Sequence, residues 1–181
     1  SQFVANSVAE EEEGLQNKLF AHVLAENAYA ARCTDIRSYH QTATDLLKRN
    51  AYPIVHGSSS NYPLQRHYLY YETEGKTRVG RSSQLSGPGM IGENCIIGND
   101  CTIRASVLGD HCLIANKCKV QESHLWEGVE LEEGAIVKQS VLAAGVVVKA
   151  GAVIPRGCVI GAGCVVGENV KLPEFTRLTN A

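Results

Sequence analysis

With 181 residues, 44% of them hydrophobic, the chain is long enough to bury a core of its own. A net charge of −2 excludes nucleic-acid or anionic-membrane binding driven by bulk electrostatics, so no direct nucleic-acid partner is expected. No apolar run approaches the roughly 18 residues of a membrane span and no signal-peptide pattern opens the sequence, so a cytoplasmic chain without membrane contact is expected.

Residues 1–14 read as a leader in which Glu10 to Glu13 form a solvated charge run. Lys18 to Leu24 is apolar enough for a short strand or a buried turn. Asp35 to Asn50 reads as a helix. Leu46 and Leu47 follow Thr42 and Ala43 at helical spacing, Ser38 is placed to cap the start, and Lys48 with Arg49 suits the negative C-terminal end. Pro53 stops it. Residues 56–83, with Gly57 to Asn61 and Tyr62, Tyr68, Tyr70 and Tyr71, read as a linker and an extended approach to the next region, whose open end the tyrosines cap.

From Ile91 to Leu172 one pattern recurs. An aliphatic residue returns about every six positions: Ile91, Ile97, Ile103, Leu108, Ile114, Val120, Leu125 and onward to Ile160, Val166 and Leu172. Two residues before each stands nothing large or charged, as at Gly89, Cys95, Cys101, Ser106 and Cys112. Residues two apart on a strand share a face, so both columns point inward at the corner of a coil. The step shortens to five at Ile103 to Leu108, Val120 to Leu125 and Val137 to Leu142, every third segment. A three-segment period predicts a three-walled parallel β-helix of about five coils, left-handed as hexapeptide helices are, a mainly β fold preceded by a short α/β segment. The domain reading is 1–55 for that segment, 56–83 for the linker, 84–175 for the β-helix and 176–181 for a tail.

Six of the seven cysteines, Cys95, Cys101, Cys112, Cys118, Cys158 and Cys164, fall in the small inward column, and Cys33 stands apart. Packing already explains their spacing, so reduced thiols are expected. The alternative stacks Cys95 on Cys112 and Cys101 on Cys118 as disulfides, with parallel side chains that strain the dihedral. There is no Cys-x-x-Cys pair, and no metal or cofactor site is expected.

Residues one before each anchor point outward and sort into three walls. Wall 1 carries Met90, Val107, His124, Val141 and Val159; wall 2 carries Ile96, Leu113, Glu130, Val147 and Val165; wall 3 carries Thr102, Lys119, Ile136, Val153 and Lys171. Walls 1 and 2 are aliphatic where a solvated face is normally polar, which points to a partner or an intramolecular cover. The candidate interface residues are therefore Trp126, Ile96, Leu113, Val147, Val165, Val107, Val141 and His124, with Trp126 a corner anchor. Simple β-propensity for the valines and corner packing for Trp126 are the alternatives. His111 at a corner and His124 on wall 1 are the candidate general bases of a transferase reading, but neither has a convincingly placed carboxylate. Surface histidines are the expectation, and no catalytic residue is assigned.

Leu125-Trp126-Glu127-Gly128-Val129, Gly134-Ala135-Ile136, Gln139-Ser140-Val141-Leu142 and Leu172-Pro173 resemble the β-helix of the epsilon subunit of eukaryotic translation initiation factor 2B. Upstream, Lys18 to Val23, Ala31-Arg32, Ser38-Tyr39, Asp45 to Arg49 and Tyr52-Pro53 resemble the end of that subunit's nucleotidyltransferase-like domain. The resemblance implies a region of a guanine-nucleotide exchange factor that serves assembly. The gamma subunit and other subunits would be partners, initiation factor 2 the substrate of the whole complex, and the exchange centre would lie outside this chain. The alternative from a different class is a hexapeptide acyltransferase or the regulatory β-helix tail of a sugar nucleotidyltransferase.

Overall fold

The computed structural model describes residues 21, 23–25, 28–51, 69–71 and 77–180. The acidic run at Glu10 to Glu13 and most of the segment read as a strand from Lys18 lie outside these. Ala21, Val23 and Leu24, which are described, are not in a strand. The stretch from Gly57 to Asn61, Tyr62 and Tyr68 also lie outside the described residues.

Every described strand is short and pairs in parallel with strands one coil away, because a six-residue step leaves room for two or three extended residues and one corner. Three sheets result, of seven, six and five strands. Wall 1 stacks Leu69–Tyr71, Gly89–Ile91, Val107–Leu108, His124–Leu125, Val141–Leu142, Val159–Ile160 and Arg177–Leu178. The outward columns read from the sequence align in register. Met90 pairs with Val107, Val107 with His124, His124 with Val141 and Val141 with Val159. Wall 2 aligns Ile96, Leu113, Glu130, Val147 and Val165 in the same way.

The solenoid has about six turns and not the expected five, because it starts earlier than Ile91. Arg78–Val79 and Gln84–Ser86 pair in register with Ile96–Ile97 and Thr102–Arg104. Val79 and Leu85 continue the six-residue step backwards from Ile91, with Thr77 and Ser83 in the small column. Their hydroxyls donate to the carbonyls of Gly92 at 3.1 Å and Gly98 at 2.6 Å. Thiols do this on later coils: Cys95 Sγ donates to Gly109 O at 3.2 Å and Cys101 Sγ to Ala115 O at 2.9 Å. Polar hydroxyls in place of thiols disguised the first coil as a linker.

The interior is one stack of buried residues from Ile91 to Val166, with anchors and small column together. All seven cysteines are free; Cys33 is exposed, Cys164 half-buried and the other five buried, so no thiol is consumed in a disulfide. Burial holds the Cys118 thiol up at about 11, well into its protonated form at neutral pH.

One helix, α1 (Ile36–Leu47), precedes the coils. Its N-cap is Asp35, whose carboxylate accepts from Ser38 N at 2.7 Å, while the Ser38 hydroxyl sits at the third helical position and accepts from Asp35 N at 3.1 Å. Ser38 is thus the return half of a capping box and not the cap itself. Leu47 and Ala51 are buried, and Tyr70 on the first strand of wall 1 is buried beneath them, its hydroxyl donating to Leu47 O at 2.9 Å.

Candidate assembly surfaces

The two aliphatic walls meet different fates. Wall 1 is covered from within the chain. Helix α1 lies against it, and His40 Nδ1 stands 3.1 Å from His124 Nε2, with the Tyr39 ring centroid 4.7 Å from that of His124. His124 is only 3% exposed, so the expectation of a surface histidine is overturned: it points outward from the solenoid but into the underside of α1. Burial, with His40 beside it, lowers the His124 pKa to about 4. Burial likewise lowers His40, and Glu122 opposes that shift. The imidazole of His124 is therefore neutral at physiological pH, a packing group with one hydrogen bond. Val107 and Val141, its neighbours in register, are half-buried on the same wall.

At the N-terminal end of α1 the cover stops. Ile36, Tyr39, Val141, Val159 and Trp126 line an open cleft of about 330 Å³, with Trp126 half exposed at 51%. Trp126 follows Leu125 at the corner where wall 1 turns to wall 2, and its main-chain N–H donates to Leu142 O at 2.9 Å.

Wall 2 has no cover among the described residues. Ile96 is 48% exposed, Leu113 41% and Val165 61%; Val147 is half-buried and Glu130 exposed between them. A shallow groove of about 260 Å³ runs across it, lined by Ile96, Leu113, Ala115, Glu130 and Leu131. The eight candidates thus fall into two groups. Ile96, Leu113, Val147 and Val165 share wall 2, and Val107, Val141 and His124 share wall 1 with the helix, with Trp126 in the open cleft on that side.

His111 occupies an exposed corner in a left-handed backbone conformation, φ 58°. Its ring nitrogens lie 3.3 Å from Asn94 Nδ2 and 3.7 Å from Glu127 Oε1. That carboxylate comes from the next coil, a placement that sequence spacing cannot show. Both side chains are more than half exposed, a geometry of a surface ladder and not of a water-excluded acid–base pair. Among the described residues no group of three or more His, Cys, Asp or Glu is placed to hold a metal. No helix among them is long and apolar enough to cross a membrane.

Sequence reasoning missed the corner chemistry that aligns the walls. Ser106, Ser123 and Ser140 are buried, and each donates its hydroxyl to the carbonyl two residues earlier, at 2.8, 2.7 and 2.7 Å. Each also accepts a main-chain N–H from the following coil, from Ser123, Ser140 and Cys158 respectively. This ladder sits at the shortened step, where five residues turn the corner, and satisfies groups a thiol would serve less well. The signal was available: serine recurs where the step is five and cysteine where it is six.

Comparison with known proteins agrees with this architecture. The family model for the EIF2B subunit epsilon LbH domain matches residues 66–172. The translation initiation factor eIF2B subunit epsilon of Dictyostelium discoideum is 33% identical over 88 residues, which is 46% of this chain and 11% of that protein. The chain therefore aligns with only a small part of that relative's length. Among solved structures, the acetyltransferase domain of PglB from Neisseria gonorrhoeae is 13% identical with a TM-score of 0.60, over 81% of this chain and 64% of that one. A hexapeptide transferase family protein from Anaplasma phagocytophilum is 14% identical with a TM-score of 0.58, over 62% of this chain and 71% of that one. At those identities the two structures speak for the fold alone. The match over residues 66–172, which takes in most of the solenoid, places the chain in the family of the eIF2B subunit epsilon left-handed β-helix domain.

Proposed function

We propose that this chain is an assembly region of a translation initiation guanine-nucleotide exchange factor subunit. Its β-helix joins that subunit to a partner subunit, the gamma subunit being the first candidate, in the cytoplasm. The carrying observation is wall 2, a column from Ile96 to Val165 that is aliphatic except for Glu130 and that nothing among the described residues covers, on a fold whose other aliphatic wall is largely covered by α1. Exposed contiguous apolar surface costs solubility unless a partner buries it. Residues 1–55 fit the tail of a nucleotidyltransferase-like domain in this reading, and α1 serves as the joint between that domain and the coils. The chain itself is non-catalytic: its polar corners form ladders and ion pairs between coils, and exchange on initiation factor 2 belongs to the full complex.

The test is a pull-down of the chain against the individual subunits of the factor. Retention of the gamma subunit, and its loss with Leu113→Glu while the far-ultraviolet spectrum is unchanged, is the expected result. No retained subunit, or retention indifferent to several wall 2 charges, sinks the reading. The transferase alternative predicts a homotrimer with acyl-transfer activity, and a monomer or dimer without that activity counts against it.

A further inference from the structure

The outward residues of wall 2 are Arg78, Ile96, Leu113, Glu130, Val147 and Val165, one per coil and in a single parallel register. The first four are all exposed. With coils repeating every ~4.8 Å, these four form a row about 14 Å long. A cation stands at one end, an anion at the other, and two aliphatic residues lie between.

We infer that this row is self-complementary, and that its occupant is a second copy of the chain docked about a two-fold axis lying along the strands between the Ile96 and Leu113 rungs. Such an axis reverses the order of the coils and preserves the strand direction. Ile96 then faces Leu113 of the second copy and Arg78 faces its Glu130, each contact occurring twice. The two registers shifted next along the row fail on charge. An axis through the Leu113 rung sets Ile96 against Glu130 and Arg78 against Val147. An axis between Leu113 and Glu130 sets those two against each other and Arg78 against Val165. Each leaves charges buried without a counter-ion, which costs far more than the lost aliphatic contact.

Two further features favour the central register. Gly98 and Ala115, which follow the anchors of the two central rungs, are small and let the walls approach. The groove lined by Ile96, Leu113, Ala115, Glu130 and Leu131 accepts an incoming Ile96 and the aliphatic stem of Arg78. Among the described residues neither Arg78 nor Glu130 forms an ion pair of its own; Lys149, which holds Glu132 at 2.6 Å, also lies near enough to Glu130 to feel its charge.

This pairing rests on wall 2 being an assembly face, and the test separates the two. Sedimentation equilibrium of the full 181-residue chain over a range of concentrations should show a monomer–dimer equilibrium. Arg78→Glu and Glu130→Arg should each weaken dimerisation about tenfold or more, since each sets like charges face to face twice, and the double variant should restore it. A wild-type chain that stays monomeric at every concentration overturns the pairing. So does a dimer that either single swap leaves unchanged or that the double swap does not restore. A second copy and another subunit would compete for wall 2, so retention of another subunit by a chain that stays monomeric at every concentration supports the assembly face and overturns only the pairing.

Discussion

At each corner of the solenoid one residue, three before the anchor, holds a left-handed backbone. From Asn94 to Asn169 these are Asn94, Asp100, Ala105, His111, Lys117, Glu122, Gln139 and Asn169, and glycine at 128, 134, 145, 151, 157 and 163. Asn and Asp tolerate this region, whereas a residue with an ordinary Cβ pays roughly 1 kcal/mol for it. Ala105→Gly should therefore raise stability by about 0.5–1 kcal/mol in urea unfolding, and a loss of stability would show that the Cβ packs usefully. The opposite case is Gly98, where an added Cβ would stand 2.6 Å from Asn116 Oδ1 and 2.9 Å from Ala115 C. The close approach exists because Asn116 Oδ1 accepts the Asn99 N–H at 2.8 Å, so Gly98→Ala should destabilise by about 2 kcal/mol or more. Ser123→Ala should cost about 1–3 kcal/mol by leaving Ser140 N–H without its 3.3 Å acceptor, and an unchanged denaturation midpoint would contradict that role. Anchors and small column were readable because burial restricts both size and polarity there. The left-handed corners at Lys117, Glu122 and Gln139 were not, since the coil's geometry and not the residue type imposes the conformation.

At the scale of the element, α1 is held to the coils by Tyr70, Leu47 and the His40–His124 pair. An ordinary histidine titrates near 6.5, and burial lowers His124 to about 4, so the folded state binds fewer protons than the unfolded one between those values. The stabilisation is complete above pH 6.5, falls as pH drops toward 4, and levels off below that. Its size is on the order of 3 kcal/mol at neutral pH relative to the acid limit. Amide exchange in α1 should accelerate over that window while the coils stay protected, and His124→Gln should flatten the dependence. A profile identical in the variant would remove His124 as the cause. The helix itself was legible in the sequence, but it ends at Leu47 and not at Asn50, so its last turn holds no basic residue: Lys48 is the C-cap and Arg49 has left the helix with φ 63°. Its N-cap was not legible, because Asp35 and Ser38 are both good capping residues three positions apart and only the backbone distinguishes them. That wall 1 has an intramolecular cover was open for a related reason: Val107 and Val141 look alike whether a helix or another protein lies over them.

For the whole molecule, the three shortened steps were enough to show three walls, since only closure of a triangular coil explains their regular recurrence. The coil count was short by one because Thr77 and Ser83 present hydroxyls where later coils present thiols. With wall 1 largely covered by α1 and wall 3 mixing Thr102, Lys119 and Lys171 with half-buried Ile136 and Val153, wall 2 is the most exposed aliphatic face left for a partner. The most direct test compares charge substitutions wall by wall in co-purification with the partner subunit. Leu113→Glu and Val147→Glu should each abolish retention with the fold intact, while Thr102→Glu on wall 3 leaves it unchanged. Retention that survives both wall 2 variants, or is lost equally with the wall 3 variant, would contradict the assembly role assigned to wall 2.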